Sequence, residues 1–339
     1  MKNLTAEKTK VTTSPEETKE WINRTLKKIH RKMVELFQVD FTIFSDIKIL
    51  KHSDLLKHLT QRMRNNLKEN GVVYSDIHWK QISKSLSKDQ VSRFFENLAF
   101  YNPDDEVLYI SKTILTNHRE KIIPTCTHEL SEKLLSTYLS SPPRNPTRTL
   151  VEAYIKAKNS NNTRNLLKLL NARTEIIFKS VFKEGACEAI ALRTLLNIDS
   201  EKTKASSLEK ELLTGYSKSI GVLFDLDNEK KDLEYVERIR TRLGKGQKTQ
   251  VIDEEKFVKE TLRSAQVVKG LSYYLSYPLA KAVLERYSIK GVKFALEKYP
   301  PLKARYFVNP QSYLAELKNE QNLLEERGEK NGGKRRKES

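Results

Sequence analysis

The chain has 339 residues, 38% of them hydrophobic and 31% charged, with a formal net charge of +18. That is enough apolar material for one large core or two smaller ones. No stretch approaches the ~20 apolar residues that span a bilayer, and "AQVVKGLSYYLSYPLAKAVL", the most apolar, is interrupted by Lys269 and Pro278. Two Cys exclude a disulfide framework. "MKNLTAEKTKVTTSPEE" lacks the apolar centre of a signal peptide, so the expected location is cytoplasmic.

With only eleven Gly and ten Pro, the long amphipathic runs predict a mainly α (α+β) protein. Residues 1–13 are expected to be disordered. Ser14, Pro15 and Glu17 then form a helix start, with Ser as N-cap, Pro in the first turn and Glu reaching back. The helix that follows places Trp21, Ile22, Leu26, Ile29, Met33, Leu36 and Phe37 on one side. "FTIFSDIKIL" reads as a strand. Ser53 is placed to cap a second helix ending near Gly71, and "SKDQVSRFFENLAF" reads as a third.

Val107 to Ile110 form a short β-branched and aromatic run, a predicted strand, and Ser111 a cap for a brief helix. "IIPTCTHELSEKLL" continues as a helix: Ile123, Cys126, Leu130, Leu134 and Tyr138 recur at helical spacing, and Pro124 is tolerated in a first turn. Beyond Arg148 the pattern predicts helices at 149–158, 163–197 (one bent or two), 205–224, 228–242 and 253–299. "RLGKGQKTQ" is a loop whose glycines have the wrong spacing for a phosphate loop. "KNGGKRRKES" is a basic flexible tail able to touch RNA or lipid headgroups weakly.

The chemistry-bearing residues concentrate in two stretches. On a helix His128 and Glu132 share a face, so both can reach one cation, while Glu129 points about 100° away, beside a metal-bound water. In "FKEGACEAIALRTLL", Glu184 and Glu188 lie one turn apart on an apolar helix. A buried lone carboxylate is costly; a metal, a salt bridge or simple exposure would each account for Glu184. Cys187 could share the Glu184 face as a thiolate ligand or be packed as a small buried residue.

"TCTHELSE", "EGACEAIA" and "PPLKARYFVNPQSY" follow one another in that order. Together they resemble a zinc metallopeptidase family of the gluzincin type, with its T-x-x-H-E-x-x-H helix, its later E-G-x-x-E-x-x-A helix and its P-P-x-S-T-E-Q-x-L-H-P-x-x-Y segment. The resemblance spans roughly residues 100–315. It implies a zincin-like domain with a small edge sheet and a large helical C-terminal part. With the composition and pattern on either side, the expected division is a disordered 1–13, a helical 14–100, a zincin-like 101–315 and a helical, basic 316–339. His128, Glu132 and Glu184 stand at the metal-ligand positions, Glu129 at the general base and Glu188 in an outer shell. The implied activity is hydrolysis of peptide bonds in a peptide or protein substrate. Tyr274, from the run containing Tyr273 and Tyr277, is a candidate oxyanion donor.

Glu132 stands where the family has a second His, and Ala304, Arg305, Tyr306 and Asn309 replace its Thr-Glu-Gln and His. A His with two carboxylates leaves a divalent ion formally neutral, so its bound water is less acidic and a poorer nucleophile. Oxygen-rich ligation also relaxes zinc preference toward manganese. The expected cofactor is therefore Zn2+, Mn2+ or none. The alternatives to a peptidase are an inactive zincin-fold scaffold for binding or regulation, and a basic helical nucleic-acid-binding protein. Several carboxylates near one point would need a cation, and Lys133 and Arg193 are the candidates if no metal supplies it.

Overall fold

The computed structural model describes residues 15–69, 99–117, 119–140, 163–243, 271–320 and 322. It is mainly helical with a small three-stranded sheet. The expectations for residues 1–13, 87–98, 149–158, 244–250 and 253–270 and for the basic tail lie outside the described residues. The chain divides into two compact units, Met1–Leu130 and Ser131–Ser339.

In the first unit, α1 (Pro15–Phe37) has Glu16 and Glu17 in its first turn, where carboxylates favour the positive end of the helix dipole. Ile22, Leu26, Ile29 and Met33, spaced 4, 3 and 4 apart, are fully buried. Gln38 ends the helix with a positive φ of 53°, donating its N–H to the Val34 carbonyl. Only the second half of the expected strand "FTIFSDIKIL" is one: β1 is Asp46–Leu50. Ahead of it the Phe41 carbonyl bonds the His30 ring at 2.6 Å. That bond ties the irregular segment to α1, and Phe41 and Phe44 are both buried.

The second helix, α2 (His52–Glu69), begins one residue before Ser53, with Asp54 and Leu55 bonding back to the Lys51 carbonyl. Ala99 and Phe100, read from sequence as the end of a helix, belong instead to strand β2 (Ala99–Asn102). The antiparallel register Ala99↔Ile110 through Asn102↔Val107 accounts for this. The turn between the strands is held by Asp105, whose carboxylate accepts from the Val107 N–H and, at 2.6 Å, from the Tyr109 hydroxyl. Burial, with Asp105 beside it, pushes the Tyr109 phenol up to about 12.

Strand β3 (Val107–Ser111) is central in the order β1-β3-β2, parallel to β1 and antiparallel to β2. Its five residues are all buried, as expected of a strand flanked on both sides. The Ser111 hydroxyl accepts from Thr113 N–H at the start of α3 (Lys112–Asn117), as the sequence suggests. After a single 3-10 turn, α4 (Ile122–Tyr138) begins with Pro124 in its first turn.

The second unit is helical among the described residues. The span 163–197 is one continuous helix, α5 (Thr163–Leu196), of 34 residues. The expected helix 205–224 breaks earlier: α6 (Lys202–Ser219) and α7 (Gly221–Leu243) meet at Ile220. Helix α8 (Ser272–Glu297) packs along α5 as the main pairing of this unit. Gly185 makes that approach possible, because a Cβ there would lie 2.2 Å from Ser276 Oγ and 2.6 Å from the Ser276 carbonyl carbon. Helix α8 bends where Ser288 takes φ 58° and ψ −165°, a region nearly reserved for glycine. Then come α9 (Ala304–Val308) and α10, residues 310–320.

Candidate functional site

Helix α4 carries the first candidate residues. Its buried positions include Ile123, Cys126, Leu130, Leu134 and Leu135, so apolar contact fixes the rotation of the helix. Thr127 Oγ1 donates to the Ile123 carbonyl at 2.6 Å, back-bonding within the helix. His128 and Glu129 are both buried, at 5% and 7% exposure. Cys126 is fully buried; desolvation, and then the nearby charge of Glu129, push its thiol far up, so it is no thiolate at neutral pH.

Glu129 has a specific partner in the same unit. Its Oε2 accepts the Tyr101 backbone N–H at 2.8 Å. Tyr101 lies on β2, an edge strand. Glu129, expected as a general base, thus satisfies an edge-strand donor. The strand around Leu108, which could pair with an extended peptide only along a free edge, is β3. Its neighbours β1 and β2 already fill both of its edges, so it has no free ladder to offer.

In the second unit the decisive contact is between Glu132 and Lys183. The Lys183 ammonium donates to Glu132 Oε1 in a close ion pair, with side chains only 22% and 31% exposed. Burial alone would lower the lysine pKa. The charges of Glu132, Cys187 if ionised, and Glu184 outweigh it, and the ammonium is held well above its ordinary range. Lys183 therefore carries the positive charge that the carboxylates of this region need. From sequence, Lys133 and Arg193 are the cations expected there. Arg193 donates to the Leu284 carbonyl at 3.3 Å, Lys133 is buried at 3% exposure, and Lys183 is a cation the sequence pattern did not single out. The signal for Lys183 was available: a lysine directly before Glu184, on an otherwise apolar helix.

Glu188 and Tyr274 fall in a second polar cluster. Tyr274 lies against Gly215, where a Cβ would come within 2.2 Å of its ring. Burial, then the charges of Glu211 and Glu188, raise its phenol. Beside it Glu209 Oε1 accepts from the Tyr277 hydroxyl and the Lys281 ammonium, each at 2.6 Å. Burial opposes ionisation of Glu209, but these two donors win and lower its pKa. Tyr277 and Lys281 sit four residues apart on α8, so one carboxylate on α6 clamps a full turn of the neighbouring helix.

The segment "PPLKARYFVNPQSY" folds around aromatic rings. Tyr306 and Tyr299 both donate to Glu316 Oε2, at 2.5 and 2.9 Å, while Arg305 reaches Oε1. Tyr313 is fully buried and donates to the Tyr299 carbonyl. Tyr306, Tyr313 and Glu316 thus have a structural task, closing α9 and α10 on each other.

Two carboxylates of the candidate set already have partners. The Glu132 carboxylate is held by an ammonium, and Glu129 is held by a backbone amide. Among the described residues no group of three or more His, Cys, Asp or Glu could hold a metal ion. Nor, among them, is any helix long and apolar enough to cross a membrane. No protein-family model, curated protein or solved structure matches the chain.

Proposed function

We propose that this chain is a zincin-like helical scaffold that binds or regulates and does not cleave. The observation that carries this reading is the Glu132–Lys183 ion pair. Glu132 stands where the metallopeptidase pattern has a metal-ligating His, and an internal ammonium now neutralises it. A lysine and a divalent cation compete for the same oxygen atoms. With Lys183 charged at every ordinary pH, the lysine is always present to compete. The Tyr101–Glu129 bond supports the same reading, because one carboxylate oxygen of the would-be general base is committed to a strand amide.

The test is the metal content of the purified full-length chain by mass spectrometry, beside His128→Ala and Lys183→Met. The expected result is no stoichiometric zinc or manganese in the wild type or in His128→Ala. Near one equivalent in the wild type, lost in His128→Ala, would overturn the scaffold reading. It would restore the metal-dependent peptidase with His128, Glu132 and Glu184 as ligands, and peptide substrates would then be screened.

A further inference from the structure

Helix α1 carries a feature that the scaffold reading does not use. From Trp21 to Val34 it has no acidic residue, and Arg24, Lys27, Lys28 and Arg31 fall at positions i, i+3, i+4 and i+7. All four are exposed, and among the described residues none enters an ion pair. The opposite face, Ile22, Leu26, Ile29 and Met33, is fully buried in the first unit. The stripe is therefore held rigidly outward. A fifth cation joins it from a distant part of the chain: Arg119 is exposed and sits over the Trp21 ring at 5.3 Å, one turn before Arg24. Glu20 precedes the stripe, and Glu35 follows it, already engaged by Lys32 at 2.7 Å.

We infer that this stripe docks the phosphate backbone of duplex nucleic acid without reading its sequence. The charge is complementary, and the chain as a whole, at +18, favours approach to a polyanion. Arg24 to Arg31 spans about 10 Å of helix, about three rises of 3.4 Å along one strand and hence about four phosphates. A lipid surface fits less well. An interfacial helix inserts an apolar face beside its basic one, and here that face is consumed by the core. Single strands also fit less well, because they are gripped by stacking on exposed aromatic rings. The ring nearest this stripe, Trp21, is half-buried and already carries Arg119.

The experiment is fluorescence anisotropy of a short mixed-sequence DNA duplex with the full-length chain, titrated in salt. Four phosphate contacts give a slope of log K against log salt of about −3.6, or a loss of about 150-fold between about 50 and about 200 mM. Replacing Arg24, Lys27, Lys28 and Arg31 by Ala together removes most of that slope, and Lys28→Ala alone reduces it by about 0.9. A control removes the same charge elsewhere, replacing the exposed Lys202, Lys210, Lys218 and Lys231 by Ala. Circular dichroism confirms that both variants stay folded. The inference holds if only the stripe variant loses the slope. It is overturned if the wild type does not bind at about 50 mM salt, or if the control loses as much as the stripe variant. It is equally overturned if phosphatidylserine vesicles or a single strand bind more tightly than the duplex.

Discussion

Replacing Lys183 by Met tests whether this lysine is the internal counter-charge of its region. Methionine keeps an unbranched apolar stem of similar reach and removes the ammonium. Breaking a fully buried pair from one side costs ~3–5 kcal/mol, whereas an exposed pair is worth at most about 1 kcal/mol. Lys183 and Glu132 lie between these limits, with side chains 22% and 31% exposed. The expected loss is therefore about 2 kcal/mol, or a fall in Tm of roughly 5 °C for a unit of this size. Urea unfolding followed by circular dichroism measures it. Glu132→Gln, alone and combined with Lys183→Met, completes a double-mutant cycle, and the coupling should be about 1–2 kcal/mol. The pH dependence has a definite sign. Because the folded lysine has a raised pKa, its contribution is fully present below the unfolded value of about 10.4. It is lost only as pH rises through the higher folded value. The deficit of Lys183→Met should thus be constant from neutral pH to about 10 and narrow beyond. A loss under about 0.5 kcal/mol, or strict additivity with Glu132→Gln, would refute the reasoning.

Other sites give independent tests. Glu129→Ala leaves the Tyr101 N–H without its side-chain acceptor, costs about 1–3 kcal/mol, and should speed hydrogen exchange at that amide; Glu129→Gln, which keeps an acceptor oxygen, should change it less. Gly185→Ala drives a methyl into the Ser276 backbone, so thermal unfolding should show a destabilisation of about 1–3 kcal/mol. Ser288→Gly should do the opposite, relieving the positive φ of 58° and raising stability by about 1 kcal/mol. Glu209→Gln should matter above pH 4.5 and not well below it: the folded pKa is lowered, so the ionised group stabilises above the unfolded value and that advantage fades as pH falls through the folded one. Stability profiles of wild type and variant should converge in acid.

Most of the helical framework could be read from apolar spacing, and the misreadings have identifiable physical causes. Helix α1 and helix α4 follow from runs such as Ile22, Leu26, Ile29 and Met33, whose period of 3.6 has only one solution. Ala99 and Phe100 carried no strand signal of their own; their conformation comes from pairing with Ile110 and Tyr109 across the sheet, which no local pattern encodes. The break at Ile220 instead of residues 225–227 is similarly tertiary. Leu223 and Leu226 on α7 are buried, and so is Leu212 on α6, so both helices need their apolar faces inward and the chain turns between them. The kink at Ser288 is a strained conformation that a serine does not announce.

The candidate site shows how far a motif can be carried by residue type alone. His-Glu at 128 and 129 and Glu-Gly-x-x-Glu at 184 to 188 specify which side chains are available, but the charge balance decides what they do. A carboxylate in a half-buried position needs a cation within a few ångströms. A divalent ion would supply two charges and demand at least three ligands around a point. Lys183 supplies one charge, demands only hydrogen-bond geometry, and arrives on the same helix as Glu184, adjacent in sequence. Given a Glu at position 132, the covalently attached cation has the advantage of concentration: it cannot diffuse away, and displacing it leaves a buried ammonium to be solvated. Gly185 is then explained by packing against Ser276, and Glu188 by its position near Tyr274 and Tyr277. Gly185 and Glu188 of the second motif thus both meet α8. On the scaffold reading proposed above, the motif persists for structural reasons without the chemistry it resembles, which is why the metal content of His128→Ala and the coupling of Lys183 to Glu132 have to be measured together.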